Sequence, residues 1–307
     1  MISSHLAPVL SAFYHQSETS NEIFERTTGL VVYYGSSTAS FVIFRDIHLT
    51  LTYMTFPSGS QFIVQGASRG IGFSITEQIL ARDPDSIVLA TCRGIPTQVQ
   101  ALARLQEKYE KRLRLISLDV ESESSVETAA SEAKAVVHNV DRIINVAGIL
   151  HEDGLAPEKR LSDINPSNFE KVMRVNALGA LLVAKWFSPL LTKGRPSQFV
   201  NISARVGSIS DNQLGGWYSY RCSKAALNMI TRNLSVELKR KLPEVICTAI
   251  HPGTTDTNLS KPFQRNARLD RLSTSQETAV KILEVTDKLT CRQNGSFLST
   301  DGVPIPW

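Results

Sequence analysis

The segment Gly66-Ala-Ser-Arg-Gly70-Ile-Gly72 constrains the fold of this chain more than any other feature of its sequence. It follows an apolar run at Gln61–Gln65 and opens a helical pattern at Gly70–Ala81. In that context, glycines let the backbone turn tightly and approach a pyrophosphate, and the helix N-terminus supplies free N–H groups with partial positive charge. The segment therefore predicts a strand–turn–helix unit that binds a dinucleotide.

Apolar runs and amphipathic stretches alternate along the rest of the chain. The apolar runs are Gln61–Gln65, Ile87–Thr91, Leu113–Leu118, Arg142–Asn145, Gln198–Ile202, Val245–Ile250 and Ser296–Leu298. The helical patterns between them are Gly70–Ala81, Gln98–Lys111, Ser124–Val137, Asn168–Leu191 and Tyr218–Lys241. This alternation predicts an α/β fold: a single Rossmann-type doubly wound domain, with a parallel sheet of about seven strands and helices on both faces.

Composition excludes several other classes of protein. A net charge of +4 with scattered Lys and Arg argues against a nucleic-acid partner. The four cysteines lie far apart and no His stands at metal-ligand spacing, so we expect no disulfide, no metal and a cytoplasmic location. The apolar stretch from Leu30 to Phe44 is interrupted by polar residues and is followed by Arg45 and Asp46, so we expect no membrane association.

Residues 1–58 differ in character from the remainder of the chain. They are rich in Ser, Thr and aromatic residues, and no helix cap is followed by a helix-period stripe. We interpret them as an N-terminal extension that packs poorly. They are also explained by a start codon assigned too early, in which case Met54 is the effective first residue. An extra strand pair or an organelle-targeting segment is the alternative. The dinucleotide-binding domain is expected to span residues 59–307.

Tyr220 and Lys224 are the strongest catalytic candidates. Positions four apart share a face of a helix, so the phenol and the ammonium are expected to be neighbours. A free tyrosine titrates near ~10, and a nearby positive charge lowers that pKa by favouring the phenolate. The pair predicts acid–base catalysis with Tyr220 as the proton donor.

The residues after the second apolar run bear on the choice of cofactor. That run ends in Cys92-Arg93, where an acidic residue would repel a 2′-phosphate and the guanidinium of Arg93 would pair with it. Arg69, inside the glycine segment, adds a second positive charge. The two residues favour NADP(H); the alternative is that both are ordinary surface arginines.

Together these features resemble the short-chain dehydrogenase/reductase family, and the resemblance covers about residues 60–307. The stretches Ala204–Tyr218, Tyr220–Asn228 and Asp301–Trp307 are similar to its C-factor and sniffer-like carbonyl reductase branch. The resemblance implies hydride transfer between NADP(H) and a small-molecule carbonyl or alcohol. Because the branch also contains signalling proteins, an NADP-binding sensor with little turnover is the alternative function.

The family pattern implies a set of cofactor contacts. Asp119 matches the residue that meets the adenine amino group, and Asn145–Gly148 matches the family's Asn-Asn-Ala-Gly motif except at Val146. A threonine in the Pro252–Thr257 segment would meet the carboxamide or a phosphate. The implied cofactor residues are Gly66, Ser68, Arg69, Gly70, Ile71, Gly72, Arg93, Asp119, Val120, Asn145, Ala147, Gly148, Tyr220, Lys224, Pro252, Gly253, Thr255 and Thr257.

The chain departs from the family at the usual catalytic serine, a position held by Ala204. Ser203 is one substitute, if the end of the strand shifts. Ser208 is the other and is favoured, because neighbouring side chains along a strand point to opposite faces. Asn176 is implied to support a water molecule in a proton relay. With Tyr220 and Lys224 these residues form the predicted catalytic set.

Two further expectations follow from the resemblance. The segment Leu259–Thr274 should form a flap over the substrate, and His251 is interpreted as structural because Tyr220 already fills the acid–base role. Family members pair through the helices that carry Asn176 and Tyr220. A homo-dimer or homo-tetramer is therefore expected, and the small residues Ala177, Gly179 and Ala180 are compatible with such packing.

Overall fold

In the computed structural model, residues 25–27, 30–32, 56–266 and 272–307 are described. The chain divides into two units, Met1–Thr52 and Tyr53–Trp307. In the first unit, Glu25–Thr27 pairs antiparallel with Leu30–Val32. Most of the predicted extension lies outside the described residues.

Seven parallel strands form the central sheet within the described part of the second unit. They are β1 (Gln61–Gln65), β2 (Ile87–Cys92), β3 (Leu113–Ser117), β4 (Arg142–Asn145), β5 (Ser197–Ile202), β6 (Val245–His251) and β7 (Ser296–Ser299). Their spatial order is β3-β2-β1-β4-β5-β6-β7. The direction of winding reverses between β1 and β4, which opens a crevice at the carboxyl ends of these two strands. The predicted doubly wound parallel sheet is confirmed.

Helices cover both faces of the sheet. They are α1 (Gly70–Arg82), α2 (Gln100–Lys108), α3 (Glu123–Val136), α4 (Pro166–Met173), α5 (Gly179–Phe187), α6 (Tyr218–Lys239) and α7 (Ser275–Asp287). Helix α7 was not predicted from the sequence, although Thr274 and Glu277 form a reciprocal capping box at its start. Within the described residues, no helix is long and apolar enough to cross a membrane.

The pleat of the strands divides the core into two layers. Ile63 packs in a cluster with Val126 of α3 and Val183 of α5, and Leu234 of α6 belongs to the same cluster. Its neighbour Val64 faces the opposite layer, with residues of α1, α2 and α7. Since successive side chains of a strand point to opposite faces, a strand covered on both sides buries both of its faces and is mainly apolar. That requirement explains the continuous apolar runs in the sequence.

The long helical pattern Asn168–Leu191 is interrupted in the structure. Between α4 and α5 the chain makes a wider π-helical turn at Arg174–Leu178. Gly179 follows directly, and a Cβ there would lie 2.7 Å from the Cβ of Val120, so only glycine lets the two segments approach this closely. Such π-turns are frequent at functional sites, and this one carries Asn176.

A buried polar cluster joins the elements at the amino end of the sheet. Asp141 is fully buried and accepts hydrogen bonds from the Gln61 N–H (2.8 Å), the Thr192 hydroxyl (2.8 Å) and Arg195 (2.6 Å). The neighbouring Arg142, also buried, donates to Asp287 at 2.7 Å. These contacts fix β1 and β4 relative to each other at the end of the sheet opposite the glycine segment.

We predict that Asp141→Ala destabilises the chain by about 3 kcal/mol, because it leaves buried donors without an acceptor. Urea unfolding followed by circular dichroism measures the change. Asp301→Ala, at an exposed position, is the control and should leave the unfolding midpoint unchanged. Equal midpoints for the two variants would contradict a role for the Asp141 cluster.

Candidate active site

A cavity of about 730 Å³ opens at the carboxyl ends of the strands, beside the glycine segment. Its volume lies in the range of small-molecule and cofactor sites. The predicted cofactor residues that line it are Gly66, Ser68, Arg69, Gly70, Ile71, Arg93, Val120, Ala147, Gly148 and Thr257. Residues from five separate parts of the chain thus meet at the crevice where the winding reverses.

The glycine segment shapes the floor of this cavity. Gly66 has a φ of +85°, and its N–H donates to the carbonyl of Thr91 at 3.1 Å. A Cβ on Gly72 would lie only 2.2 Å from the carbonyl oxygen of Gly66, so α1 can pack this close to the turn only with glycine there. No side chain caps the N-terminus of α1, and its first turn has no acidic residue. Its free N–H groups are therefore available to a phosphate.

The remaining predicted cofactor residues do not line the cavity. Asn145 donates to Asn201 at 3.0 Å, and Thr255 shares a 2.9 Å hydrogen bond with Thr278. The carboxylate of Asp119 accepts from the N–H of Glu121 at 3.0 Å. The others are Gly72, Pro252, Gly253, Tyr220 and Lys224. The contacts of Asn145 and Thr255 tie the walls of the site to the sheet and to α7.

Tyr220 and Lys224 lie side by side in the first turns of α6, both buried. The Lys224 Nζ atom lies 5.7 Å from the centroid of the Tyr220 ring and donates to the carbonyl of Ile202 at 3.0 Å. Burial raises the pKa of the Tyr220 phenol above its ordinary value and lowers that of Lys224 to about 8. At neutral pH the phenol therefore holds its proton and the lysine is mostly charged.

Asn176 connects the loop after β4 to α6. Its side-chain carbonyl accepts from the Ile149 N–H at 2.7 Å, and its amide donates to the Ile149 carbonyl (2.9 Å) and to the Ser223 hydroxyl (3.0 Å). A Cβ on Gly148 would lie 3.2 Å from the Asn176 Oδ1 atom and 3.5 Å from the Lys224 Nζ atom. The structure thus brings Asn176 and Lys224 together at the edge of the cavity.

The two candidate serines are both buried and both engaged. Ser203 donates to Asn228 of α6 at 2.6 Å, and Ser208 accepts from the N–H of Asp211 at 3.1 Å. Neither of these contacts involves Tyr220, so the assignment of a catalytic hydroxyl stays a prediction. Burial, with the nearby charge of Arg205, lowers the pKa of His251 to about 4, so this ring is neutral at physiological pH.

Two charged residues that hold the start of α6 were not predicted from the sequence. The buried carboxylate of Glu158 accepts from both the N–H and the hydroxyl of Ser219. The Arg221 guanidinium donates to the carbonyls of Gly215 (3.1 Å), Gly216 (3.0 Å) and Val206 (3.3 Å). A carboxylate at a helix N-terminus is a known signal. Here 61 residues separate the carboxylate from its partner, so local sequence patterns do not show it.

Fold and site together define a class: an α/β nucleotide-binding protein with a tyrosine–lysine pair beside its nucleotide cavity. The profile of the short chain dehydrogenase family matches residues 61–268. The chain belongs to this family of oxidoreductases, as the resemblance implied.

Proteins of similar sequence include both a dehydrogenase and C-signal. The chain is 30% identical over 248 residues to 1-hydroxy-2-glutathionyl-2-methyl-3-butene dehydrogenase of Rhodococcus sp. (strain AD45), covering 81% of this chain and all of that protein. It is 33% identical over 169 residues to C-signal of Myxococcus xanthus, covering 55% of this chain and 93% of that protein.

Solved structures show the same fold. NADPH-bound carbonyl reductase from chicken fatty liver superposes with a TM-score of 0.71 at 28% identity, covering 83% of this chain and 97% of that one. Carbonyl reductase Sniffer of D. melanogaster superposes with a TM-score of 0.72 at 24% identity, covering 82% of this chain and all of that one. The similarity to C-signal agrees with the branch predicted from the sequence, and the likeness to Sniffer shows the shared fold.

Proposed function

We propose that this protein is an NADP(H)-dependent reductase that interconverts a carbonyl compound and its alcohol. The observation that carries this proposal is the buried Tyr220–Lys224 pair, whose ammonium lies next to Gly148 on the cavity wall. A bound nicotinamide would supply the hydride to the carbonyl carbon. The chain itself would orient the carbonyl and give the proton that completes the alcohol.

Each catalytic residue has a distinct task in this reaction. Tyr220 donates its Oη proton to the carbonyl oxygen, a task that suits a phenol kept protonated by burial. The charge of Lys224 stabilises the phenolate left behind. Asn176 holds the loop after β4 against α6. Ser203 and Ser208 are the candidates for orienting the substrate oxygen in place of the hydroxyl missing at Ala204.

We predict that Tyr220→Phe lowers kcat for carbonyl reduction at least a hundredfold, the scale of general acid catalysis, and leaves the Kd for NADPH unchanged. The kcat is measured by NADPH oxidation with a panel of aldehydes, ketones and quinones. The Kd for NADPH is measured by fluorescence titration. Tyr218→Phe, two residues away, is the matched control and should keep its activity.

The second candidate function is an NADP-binding sensor, which Ala204 and the similarity to C-signal favour. If wild-type protein binds NADPH and reduces none of the panel, the reductase proposal fails and the sensor takes its place. A gain of turnover in Ala204→Ser would then identify the missing hydroxyl as the cause.

The proposed preference for NADP(H) rests on Arg69 and Arg93, which both line the cavity. We predict that Arg93→Ala weakens NADPH binding about tenfold and leaves NADH binding unchanged, because only the 2′-phosphate loses a partner. The effect is modest since solvent screens an exposed ion pair. Arg114→Ala is the control, as this exposed arginine lies on β3 outside the cavity lining. An equal loss of affinity for NADPH and NADH would refute the assignment of Arg93 to the 2′-phosphate.

The pKa of Lys224 sets a pH dependence. Below pH about 8 the lysine is charged and assists proton donation; above that pH it loses its charge and Tyr220 becomes a weaker acid. We predict that kcat/KM for NADPH, which reports groups of the free enzyme, falls as the pH rises through about 8. In Lys224→Arg the charge persists, so this inflection should disappear even if activity is lower. An unchanged inflection in that variant would assign it to another group.

We also propose that the protein self-associates through α5 and α6. The small residues Ala177, Gly179 and Ala180 do not form the contact surface, because they are buried within the subunit. The exposed apolar side chains on and beside these helices are instead Leu178, Leu181, Met229 and Val236. Exposed apolar groups on neighbouring helices are typical of a subunit interface.

We predict that Met229→Glu shifts the protein towards monomer in sedimentation velocity, since a carboxylate is costly to bury in an apolar contact. Leu161→Glu, at an exposed position on another segment, is the control and should leave the sedimentation coefficient unchanged. A wild-type protein that sediments as a monomer would contradict the proposal.

A further inference from the structure

The nucleotide cavity is lined by more carboxylates than guanidiniums among the residues that the structure describes. The carboxylates are those of Glu121, Glu152, Asp153 and Asp256, and the guanidiniums those of Arg69 and Arg93. A nicotinamide dinucleotide is itself an anion, because its phosphate groups are ionised at neutral pH. Like charges that face one cleft repel each other, and the low-dielectric walls strengthen the repulsion. The carboxylates therefore oppose binding of the cofactor unless their charge is compensated.

A single lysine compensates two of these carboxylates. The Nζ atom of Lys171, on α4, lies 3.4 Å from Oε2 of Glu121 and 3.5 Å from Oε1 of Glu152. Glu121 belongs to the segment after β3 and Glu152 to the loop after β4, so one side chain bridges two separate parts of the cavity lining. In the described part of the chain, these two are the lining carboxylates that have an ion-pair partner, and they share it.

The backbone keeps both carboxylates at the cavity. The N–H of Glu121 donates to the carboxylate of Asp119 at 3.0 Å. The N–H of Glu152 donates to the carbonyl of Leu155 at 3.1 Å, and the N–H of Leu155 donates back to the carbonyl of Glu152 at 2.9 Å. The two glutamates raise the pKa of Lys171 above its ordinary value, so the ammonium keeps its charge throughout the neutral range.

We propose that Lys171 supports binding of the cofactor through charge, by cancelling the carboxylates of Glu121 and Glu152 that face the cavity. This inference rests on the proposed cofactor and does not depend on turnover. An ordinary ion pair at the surface contributes little when it is lost. Here the loss of the ammonium leaves two uncompensated negative charges on a wall that receives an anion.

The first test measures the Kd for NADPH by fluorescence titration at low salt. Lys171→Met, which keeps the length and helix propensity of the side chain, should raise the Kd about fivefold, since solvent screens charges that are partly exposed. Lys171→Arg should keep the wild-type Kd. Lys185→Met is the matched control, because Lys185 pairs with Glu123, which lies outside the cavity lining. An unchanged Kd in Lys171→Met would overturn the proposal.

Removal of the two carboxylates separates a role through charge from a role in holding the wall together. With Lys171 present, the double variant Glu121→Gln/Glu152→Gln should bind NADPH at least as tightly as the wild type. In that double variant, adding Lys171→Met should no longer weaken binding. High salt should likewise reduce the difference between Lys171→Met and the wild type. Weaker binding by the double variant, or a persistent effect of Lys171→Met within it, would assign Lys171 to structure and overturn the proposal.

Failure of the proposed function gives a different result, because these titrations need no substrate. A wild type that binds NADPH and reduces no carbonyl compound would remove the reductase, and the Kd values would still decide the role of Lys171. A wild type that reduces carbonyl compounds, together with an unchanged Kd in Lys171→Met, would overturn the inference about Lys171 alone. A wild type that binds no NADPH would overturn both.

Discussion

The contact between Gly72 and the carbonyl of Gly66 is the constraint on which the site depends. Any side chain at position 72 would overlap that oxygen, because even a Cβ would lie 2.2 Å away. With glycine, α1 starts directly above the end of β1, and its uncapped N–H groups face the cavity. Since β1 is the strand at which the winding reverses, this turn places an uncapped helix N-terminus, a favourable position for an anion, at the crevice of the sheet.

A second constraint acts on the first turn of α6. Glu158 accepts a hydrogen bond from the backbone N–H of Ser219, and Arg221 donates to the carbonyls of Gly215 and Gly216. These contacts fix the end of the loop and the first turn of α6, which carries Tyr220. The sheet contributes as well, because the carbonyl of Ile202 at the end of β5 accepts a hydrogen bond from the ammonium of Lys224. Low solvent access then moves the pKa of the phenol and of the ammonium in opposite directions, since burial disfavours the charged form of each.

The elements that could be predicted are those with a strong local signal. The strands begin and end within one residue of the predicted apolar runs, because a strand covered on both faces is mainly apolar over its whole length. The π-turn at Arg174–Leu178 could not be predicted, since its residues continue the helical pattern and the close approach of Val120 requires the three-dimensional fold. Helix α7 had a readable capping box at Thr274 and Glu277, which was overlooked.

The sequence by itself determined the class of the fold, the position of the nucleotide turn and the tyrosine–lysine pair, because each depends on spacing along one segment. Only the tertiary structure decided which groups surround that pair. Glu158, Asn176 and the neighbouring rings of Phe263 and Trp217 come from separate parts of the chain, and nothing in their local sequence shows that they meet. The surroundings of Ser203 and Ser208 were decided in the same way, because the partner of Ser203 lies on α6 and that of Ser208 in the next turn of its loop. Long-range packing sets such contacts, so a one-dimensional pattern does not record them.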